Sequence, residues 1–470
     1  MEIRYQNNMF CDAIKEIAKL IKGTKWENNC FLVGGAVRDL LLGKEIKDID
    51  LCISLPNGGI DFANWICKET DCYKINSNPV IFQTYGTAKF NIRSINKISN
   101  VNIECVQTRK EQYKDKNSRN PETEYGTITE DSLRRDLTIN ALYINISNNQ
   151  VLDPTGIGLS DLKNCILRTP SDPDITFTDD ALRQLRVIRF SSKLGWGIEK
   201  TTWFGIVKNA YRINTISKER ISEEISKILE SNRPSYGLRK LYNSGLLKLI
   251  LPEVYELVGC KQGEQHFGDA FEHTMAVVEK TKPIATYRMA ALLHDIAKPK
   301  CKIEMLDKIH FYKHENESAI MSINILKRLK YSNSDIKLIV KAVRNHMRFK
   351  QNKDSCPSTK AIRKLISEYN DSEVDIILDI IDADNKSHSE KYNAPNQVNL
   401  IFDKILKIKE EEKINNKLEL PINGKDIMDK FKLKTSPKIG EMLNFIKNKF
   451  LENPKLTKEE CFSLIESNFK

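Results

Sequence analysis

Two aspartates, Asp48 and Asp50, flank one residue in the segment IKDIDLCIS, whose alternation of apolar and polar residues predicts a β-strand. Residues i and i+2 of a strand point to one face, about 6.6 Å apart along it. Carboxylates so placed suit a pair of Mg²⁺ ions, which sit roughly 3.5–4 Å apart in two-metal sites. Hard oxygen ligands select Mg²⁺. In such a site one ion activates an attacking hydroxyl and the other neutralises a leaving pyrophosphate. Glu104, on the predicted strand NIECV, is a candidate third carboxylate. Asp-x-Asp alone describes many solvated strand edges, but the residues upstream narrow the reading. Gly34-Gly35 ends the short apolar strand CFLVGG and opens the helix AVRDLLLG. Backbone N–H groups there can face a triphosphate, and Arg38, one turn in, can pair with phosphate oxygens. The set is equipped to transfer nucleotides.

A second constellation lies far downstream. All seven histidines fall between His266 and His388. His273 is on the predicted helix FEHTMAVVEK, the doublet His294-Asp295 follows on ALLHDIAKP, and His314, His346 and Asp384 come later. This mixed nitrogen and oxygen set suits Mn²⁺, Fe²⁺, Ni²⁺ or Zn²⁺, and such a metal can activate water against a phosphoester. His266, His310 and His388 stand outside the pattern and are read as loop residues. A chain without histidine in its first 265 residues points to two chemistries in two places.

The elements that must position these residues follow from periodicity. The 470 residues are too many for one core. Residues 1–150 read as an α/β block: a first helix over 10–22, then strands at CFLVGG, IKDIDLCIS, AKFNIRSI and NVNIECVQTR. The polar stretch KEQYKDKNSRNPETEYGT, without periodicity, reads as a mobile loop. After DPTGIGLSDLKN the pattern is helical, including a helix over 178–194. No stretch approaches the roughly 18 apolar residues of a membrane span. The N-terminus lacks a signal-peptide pattern, and eleven scattered cysteines without Cys-x-x-Cys spacing fit reduced thiols. A cytoplasmic protein is expected, with no membrane partner. The net charge of +11 favours a polyanionic partner such as nucleic acid. Against 54 lysines and only 20 arginines, Arg183, Arg186 and Arg189 crowd within seven residues.

FLVGGAVRDLLLG followed by KDIDL resembles the head of class II tRNA nucleotidyltransferases and bacterial poly(A) polymerases. The resemblance continues in order through LRRDLTINAL, VLDPTGIGLSDLKN, TDDALRQLRVIRF and SKERISEEI, covering about residues 25–235. It implies that Gly35 and Arg38 hold the triphosphate and that Asp48 and Asp50 hold Mg²⁺. Arg135 would contact the nucleotide, with Asp136 and Asn140 helping to select the ribose. Asp180 and Arg183, at i and i+3 on a helix, would imitate a Watson–Crick edge and select CTP and ATP. Arginine suits such bidentate geometry better than lysine. Arg186 and Arg189 would grip phosphate or orient that pair. The family has Glu-Asp where this chain has Asp179-Asp180; only the second residue reads the base in the family.

TPSDPDITFTDDALR and SRNPETEYGTITEDSLRRD resemble the bacterial branch that carries an HD domain, and the order of the histidines is similar to that of the HD phosphohydrolase superfamily. This implies His273, His294, Asp295 and Asp384 as ligands, with His314 and His346 serving a second metal. The expected fold is α+β: a small mixed-sheet head (1–150), a helical neck (151–235), an HD-type body (236–396) and a helical tail (397–470). The tail holds 15 lysines and no arginine and suits contact with RNA phosphates. The implied activity is untemplated addition of C, C and A to the tRNA 3′ end from CTP and ATP. An A-adding enzyme or poly(A) polymerase uses the same motifs, although the long loop and the HD domain lean towards CCA addition. Two further readings are a non-catalytic RNA-binding protein on the same fold and an HD phosphohydrolase with a regulatory nucleotide-binding head.

Overall fold

The computed structural model describes residues 8–69, 79–83, 86–93, 100–112, 122–264, 268–305, 308–350, 355–414, 420–454 and 456–469. Helix α1 (Met9–Ile21) opens the chain, capped by the Asn8 side chain, and buries Cys11, Ile14, Ile17 and Ile21 along one stripe. It leads to strand β1 (Cys30–Val33), helix α2 (Gly35–Leu41), strand β2 (Ile49–Ile53) and helix α3 (Gly58–Glu69). Strands β3 (Val80–Phe82), β4 (Thr87–Arg93) and β5 (Asn100–Gln107) follow, then a separate ribbon of β6 (Arg109–Gln112) and β7 (Glu122–Tyr125). Helix α4 (Ile128–Leu133) and strands β8 (Tyr143–Asn145) and β9 (Val151–Leu152) complete the sheet region. The seven-stranded sheet runs β3-β4-β5-β2-β1-β8-β9. Its β2–β5 pair is parallel and the other neighbours are antiparallel.

Period-two alternation sorts the two faces. Leu32, Ile49, Leu51, Ile103 and Cys105 are buried, and α1 and α3 pack on this part of the sheet. Gly59 makes that packing possible: a Cβ there would lie 2.5 Å from the Gly86 carbonyl oxygen and 2.9 Å from that of Cys105. The opposite face carries Phe31, Val33, Cys52 and Tyr143, packed with Val106, Ile128 and Leu152, and Asp50 belongs to it by parity. The polar stretch after Arg109 differs from expectation at its ends, which pair as β6 and β7; its residues 113–121 lie outside the described residues.

Beyond the sheet, α5 (Gly158–Asn164), α6 (Pro173–Asp179), α7 (Leu182–Leu194), α8 (Lys200–Asn209) and α9 (Lys218–Leu229) follow. The helix expected over 178–194 is two helices. Asp180 has extended backbone angles, φ −146° and ψ 104°, and its side chain accepts the Leu182 N–H at 3.0 Å. An aspartate offered that bond stops one helix and starts the next.

The chain divides into two compact units, Met1–Pro252 and Glu253–Lys470. The second unit is helical, with Ala270–Lys280, Ala285–Leu293, His314–Arg328, Asn333–Asn345 and Asp371–Asn385 as its main members. Buried Val277, Leu292, Ile339, Ile377 and Ile380 form part of its core. A hairpin, Lys302–Met305 with Lys308–Phe311, interrupts the helices. Periodicity missed it because the strands are four residues each. At the end of the chain, helices Gly424–Phe431, Pro437–Glu452 and Lys458–Asn468 enclose a cluster of Ile427, Ile439, Met442, Ile446, Cys461 and Ile465. Among the described residues no helix is long and apolar enough to cross a membrane, and the ten cysteines there are free thiols.

Candidate functional site

Asp48 stands one residue before β2 and is exposed; Asp50 is the second residue of β2 and half-buried. Asp50 pairs in register with Glu104, and Glu104 with Lys89. The three side chains therefore form one row across β2, β5 and β4. Burial, followed by the charges of Asp48 and Glu104, lifts the Asp50 carboxyl to about 6. Carboxylates brought this close could share a divalent cation, and their all-oxygen set fits Mg²⁺. Lys89 lies 2.8 Å from Glu104 and partly neutralises it.

Gly34, with φ 71°, occupies a backbone region that disfavours a side chain. A Cβ there would lie 3.7 Å from Asp50 Oδ2 and 3.9 Å from Arg135 Nη1. Gly34 thus leaves the space beside the carboxylates open. Gly35 begins α2, next to the Arg38 guanidinium. Arg38 is buried and donates from Nη1 to Asn140 Oδ1 at 2.8 Å. Asn140 donates to Asp136 Oδ1 at 3.1 Å, and Arg186 lies 2.6 Å from Asp136 Oδ2. One polar chain, Arg38–Asn140–Asp136–Arg186, therefore links α2, the segment after α4 and α7. Burial alone would raise Asp136, but Arg186 and Asn140 outweigh it and hold the carboxyl at about 2.

Arg189 meets Glu224 at 3.1 Å, and both are largely buried. Arg38, Arg186 and Arg189 gather round the Phe190 ring at 5.0, 5.9 and 4.6 Å. Arg186 and Arg189 thus both stand against carboxylates, Asp136 and Glu224. Asp180 and Arg183 share no single helix: Asp180 precedes α7, its Oδ2 is 2.8 Å from Arg220, and Arg183 donates to the Thr176 carbonyl at 3.2 Å. Arg220, inside SKERISEEI, lies 40 residues from Asp180, so no spacing in the sequence pairs the two.

A cavity of 480 Å³ opens on the carboxylate row, lined by Asp50, Glu104, Lys89, Phe82, Arg109, Arg134 and Arg135, among others. Arg134 and Arg135 both bind the fully buried Asp131, at 2.5 and 2.9 Å, and Tyr143 donates to it at 2.5 Å. Burial opposes the Asp131 charge, yet the two guanidiniums and the tyrosine hold its carboxyl well below the usual range. Asp131 and Tyr143 were not legible as site residues, because nothing in the spacing couples them to Arg135.

The histidine constellation closes in the second unit. Two groups have ligating atoms within 4.8 Å of one another: His273, His294 and Asp384, and Asp295, His314 and His346. Asp295 serves both, with its carboxylate oxygens 3.1 Å from His294 Nε2 and 3.1 Å from His314 Nε2. His294 and His346 follow the last turns of their helices, and His314 opens its own. The Nδ1 atoms of His294, His314 and His346 lie 2.7, 2.8 and 2.7 Å from the carbonyls of Ala291, Phe311 and Val343. A carbonyl only accepts, so each Nδ1 carries the proton and each Nε2 offers a lone pair inward. His314 Nε2 and His346 Nε2 are 3.2 Å apart. Two lone pairs that close are what a cation between them would stabilise, and the donor set fits a borderline transition metal. Burial lowers His273 to about 4, and burial with the neighbouring His294 and His314 lowers His346 to about 3, so both stand neutral and ready to ligate.

Of the histidines read as loop residues, His310 needs correction, His388 follows the helix Asp371–Asn385 as read, and His266 lies outside the described residues. His388 donates from Nδ1 to the Asp384 carbonyl at 2.7 Å, and its Nε2 accepts from Lys350 at 2.8 Å. Lys350 also lies 2.7 Å from Asp384 Oδ2. His310 is on the hairpin, stacked on Tyr312 at 5.3 Å and 8°. Both histidines line an 860 Å³ cavity with Asp295, His314, His346 and Asp384. Lys298, 2.6 Å from Asp295, was also missed, although it sits in the quoted segment ALLHDIAKP.

Three family models match along the chain: the poly A polymerase head domain over residues 30–168, the "Probable RNA and SrmB-binding site of polymerase A" over 195–257 and the HD domain over 270–389. The chain is 37% identical over 237 residues to the mitochondrial CCA tRNA nucleotidyltransferase of Candida glabrata, covering 47% of this chain and 43% of that one. To the multifunctional CCA protein of Pseudomonas fluorescens it is 30% identical over 304 residues, covering 63% and 69%. The chain spans about half the length or less of the fungal relatives. Among solved structures, the fold matches a Bacillus stearothermophilus CCA-adding enzyme in complex with CTP at a TM-score of 0.68, 21% identity and 98% of both chains. It matches a Thermotoga maritima CCA-adding enzyme complexed with tRNA at 0.60, 20% identity, 99% of this chain and 97% of that one.

Proposed function

The chain belongs to the family of tRNA nucleotidyltransferases and poly(A) polymerases that carry an HD domain, and on that premise we propose that it adds C, C and A to the 3′ end of tRNA from CTP and ATP. The observation that carries the reading is the row Asp50–Glu104–Lys89 beside Asp48 and the open turn at Gly34. Asp48 and Asp50 would hold Mg²⁺, with Glu104 as third carboxylate. When bound, the metal supplies Lewis acidity at the attacking hydroxyl and at the departing pyrophosphate. The protein's share is positioning: nucleotidyl transfer needs attacking and leaving oxygens in line, with charge stabilised around them.

Gly35 and Arg38 receive the triphosphate, Arg135 contacts the nucleotide, and Asp136 with Asn140 helps to select the ribose. Asp180 and Arg183 select the base. In the present arrangement Asp180 is held by Arg220, so reading a base requires exchange of that ion pair. Arg186 and Arg189 position α7 through Asp136 and Glu224. The four-part division at 150, 235 and 396 is retained as part of this proposal, as is a cytoplasmic setting, which suits the unpaired thiols. The test incubates the protein with tRNA lacking CCA and each nucleoside triphosphate in turn. Stepwise CTP then ATP incorporation is expected; failure to incorporate CTP sinks the reading, and incorporation of ATP alone replaces it with A addition.

A second activity is favoured by one observation, the two ligand groups joined by Asp295. We infer that the second unit is a metal-dependent phosphohydrolase using Mn²⁺, Fe²⁺, Ni²⁺ or Zn²⁺. His273, His294, Asp295 and Asp384 would hold one ion and His314 with His346 a second. Hydrolysis of a 2′,3′-cyclic phosphate by wild type and its loss in His294→Ala is the expected result; equal rates would remove the assignment.

A further inference from the structure

One large side chain faces the carboxylate cleft without a part in holding the incoming nucleotide. Phe82 lines the cavity with Asp50 and Glu104, yet the residue is 44% exposed. We propose that Phe82, with Arg109 and Arg134, forms the seat for the 3′ end of the acceptor RNA: one of its last bases stacks on the ring while phosphates lie against the guanidiniums. The proposal rests on the nucleotidyl-transfer reading above.

The sheet order supplies the first argument. The residues assigned to the triphosphate, Gly35 and Arg38, follow β1, on one flank of β2. On the other flank come β5 with Glu104, β4 with Lys89 and β3 with Phe82. In-line transfer requires the attacking hydroxyl and the leaving pyrophosphate to stand on opposite sides of the reacting phosphorus. With the triphosphate on the β1 flank, the acceptor comes from the β5–β4–β3 flank.

Register supplies the second. Asp50, Glu104 and Lys89 form one row, and Phe82, Thr87 and Val106 form another two residues along. Period two puts both rows on the same face. Phe82 is three strands from β2, so it stands roughly 14 Å across the sheet and roughly 7 Å along it from Asp50. That separation leaves room for the terminal nucleotide at the carboxylates with a base close behind it at the ring.

Charge and surface chemistry supply the third. Three guanidiniums, Arg109, Arg134 and Arg135, stand together on this wall, two of them held by Asp131. Lys89 is offset by Glu104. An exposed aromatic ring beside fixed cations is the combination that single-stranded nucleic acid uses, because every base has a face to stack and every link a phosphate to neutralise.

The test is steady-state CTP incorporation into tRNA lacking CCA, varying RNA and CTP separately. Phe82→Ala is expected to raise the KM for RNA roughly tenfold, the lower part of the range for one stacked base, with the KM for CTP within about twofold of wild type. Phe82→Trp should restore the RNA KM, which a structural role would not allow. In binding assays across salt concentrations, Arg109→Gln should reduce the slope of log affinity by about 0.7, one single-strand phosphate contact. An unchanged RNA KM in Phe82→Ala overturns the proposal. So does a rise in the CTP KM instead, which would put the incoming base on the ring. If wild type incorporates neither CTP nor ATP, the nucleotidyl-transfer reading fails by itself. Anisotropy with fluorescent tRNA lacking CCA then decides the seat: roughly tenfold weaker binding by Phe82→Ala supports it, and equal binding removes it.

Discussion

The head cleft and the histidine cavity both gather groups that could hold a cation, but they do so on opposite plans. In the head, the proposed ligands are carboxylates on and beside neighbouring strands, one of them exposed before β2. In the second unit, imidazoles at helix ends are locked by Nδ1–H bonds to carbonyls three residues back. The first plan suits a hard ion that arrives with a triphosphate and leaves with pyrophosphate. The second suits a resident ion in a preformed, buried cage. Two sites in one chain differ because a strand offers side chains on an open face, whereas converging helix ends enclose a volume.

Each plan can be broken alone, and the largest effect is expected in the head. Asp48→Ala should lower CTP incorporation by roughly a thousandfold or more, a barrier increase above roughly 4 kcal/mol, while tRNA binding and the metal content of the second unit stay near wild type. Retained activity would remove Asp48 from the metal site. His294→Ala should do the converse: metal analysis of the purified protein should show loss of bound transition metal and of phosphoester hydrolysis, with CTP incorporation intact. A chelation experiment sharpens the contrast. After dialysis against a chelator, Mg²⁺ alone should restore incorporation, and hydrolysis should return only with a transition metal. Restoration of both by Mg²⁺ would show that the cages do not differ as argued.

Smaller effects test the supports. Asp136 is held at about 2 by Arg186 and Asn140, against roughly 3.9 when unfolded. A folded pKa below the unfolded one means stability that is fully present above about pH 4 and lost as pH falls towards 2. Urea unfolding should show Asp136→Asn destabilised by roughly 2 kcal/mol at pH 7, with most of that difference gone near pH 2. A constant difference across pH would mean that packing, not charge, is responsible. His388→Ala should weaken metal retention or hydrolysis by about tenfold, as expected for a group that orients a ligand through Lys350; no change would show that it orients none.

How much of this was legible depends on whether the partners are near in sequence. The Gly34-Gly35 turn, Asp50 on its strand and the helix bearing His273 came from local periodicity and spacing, because strand parity and helical turns are local rules; Asp48, expected on the same strand, lies one residue before it. The break at Asp180 was not, since its cause is a side chain preferring the Leu182 N–H to continuing the helix. The hairpin carrying His310 was too short to show a period.

By itself the sequence determined the inventory: an all-oxygen set upstream, an imidazole-rich set downstream, and an arginine cluster against a lysine background. Tertiary structure decided which charges are spent. Arg189 goes to Glu224, Arg134 and Arg135 to Asp131, Arg186 to Asp136, and Lys350 to Asp384. Lys350 and Asp384 are 34 residues apart and Arg186 and Asp136 are 50 apart, so no periodicity links them. A buried charge must find an opposite one wherever the fold brings it, and only the packed chain shows where that is.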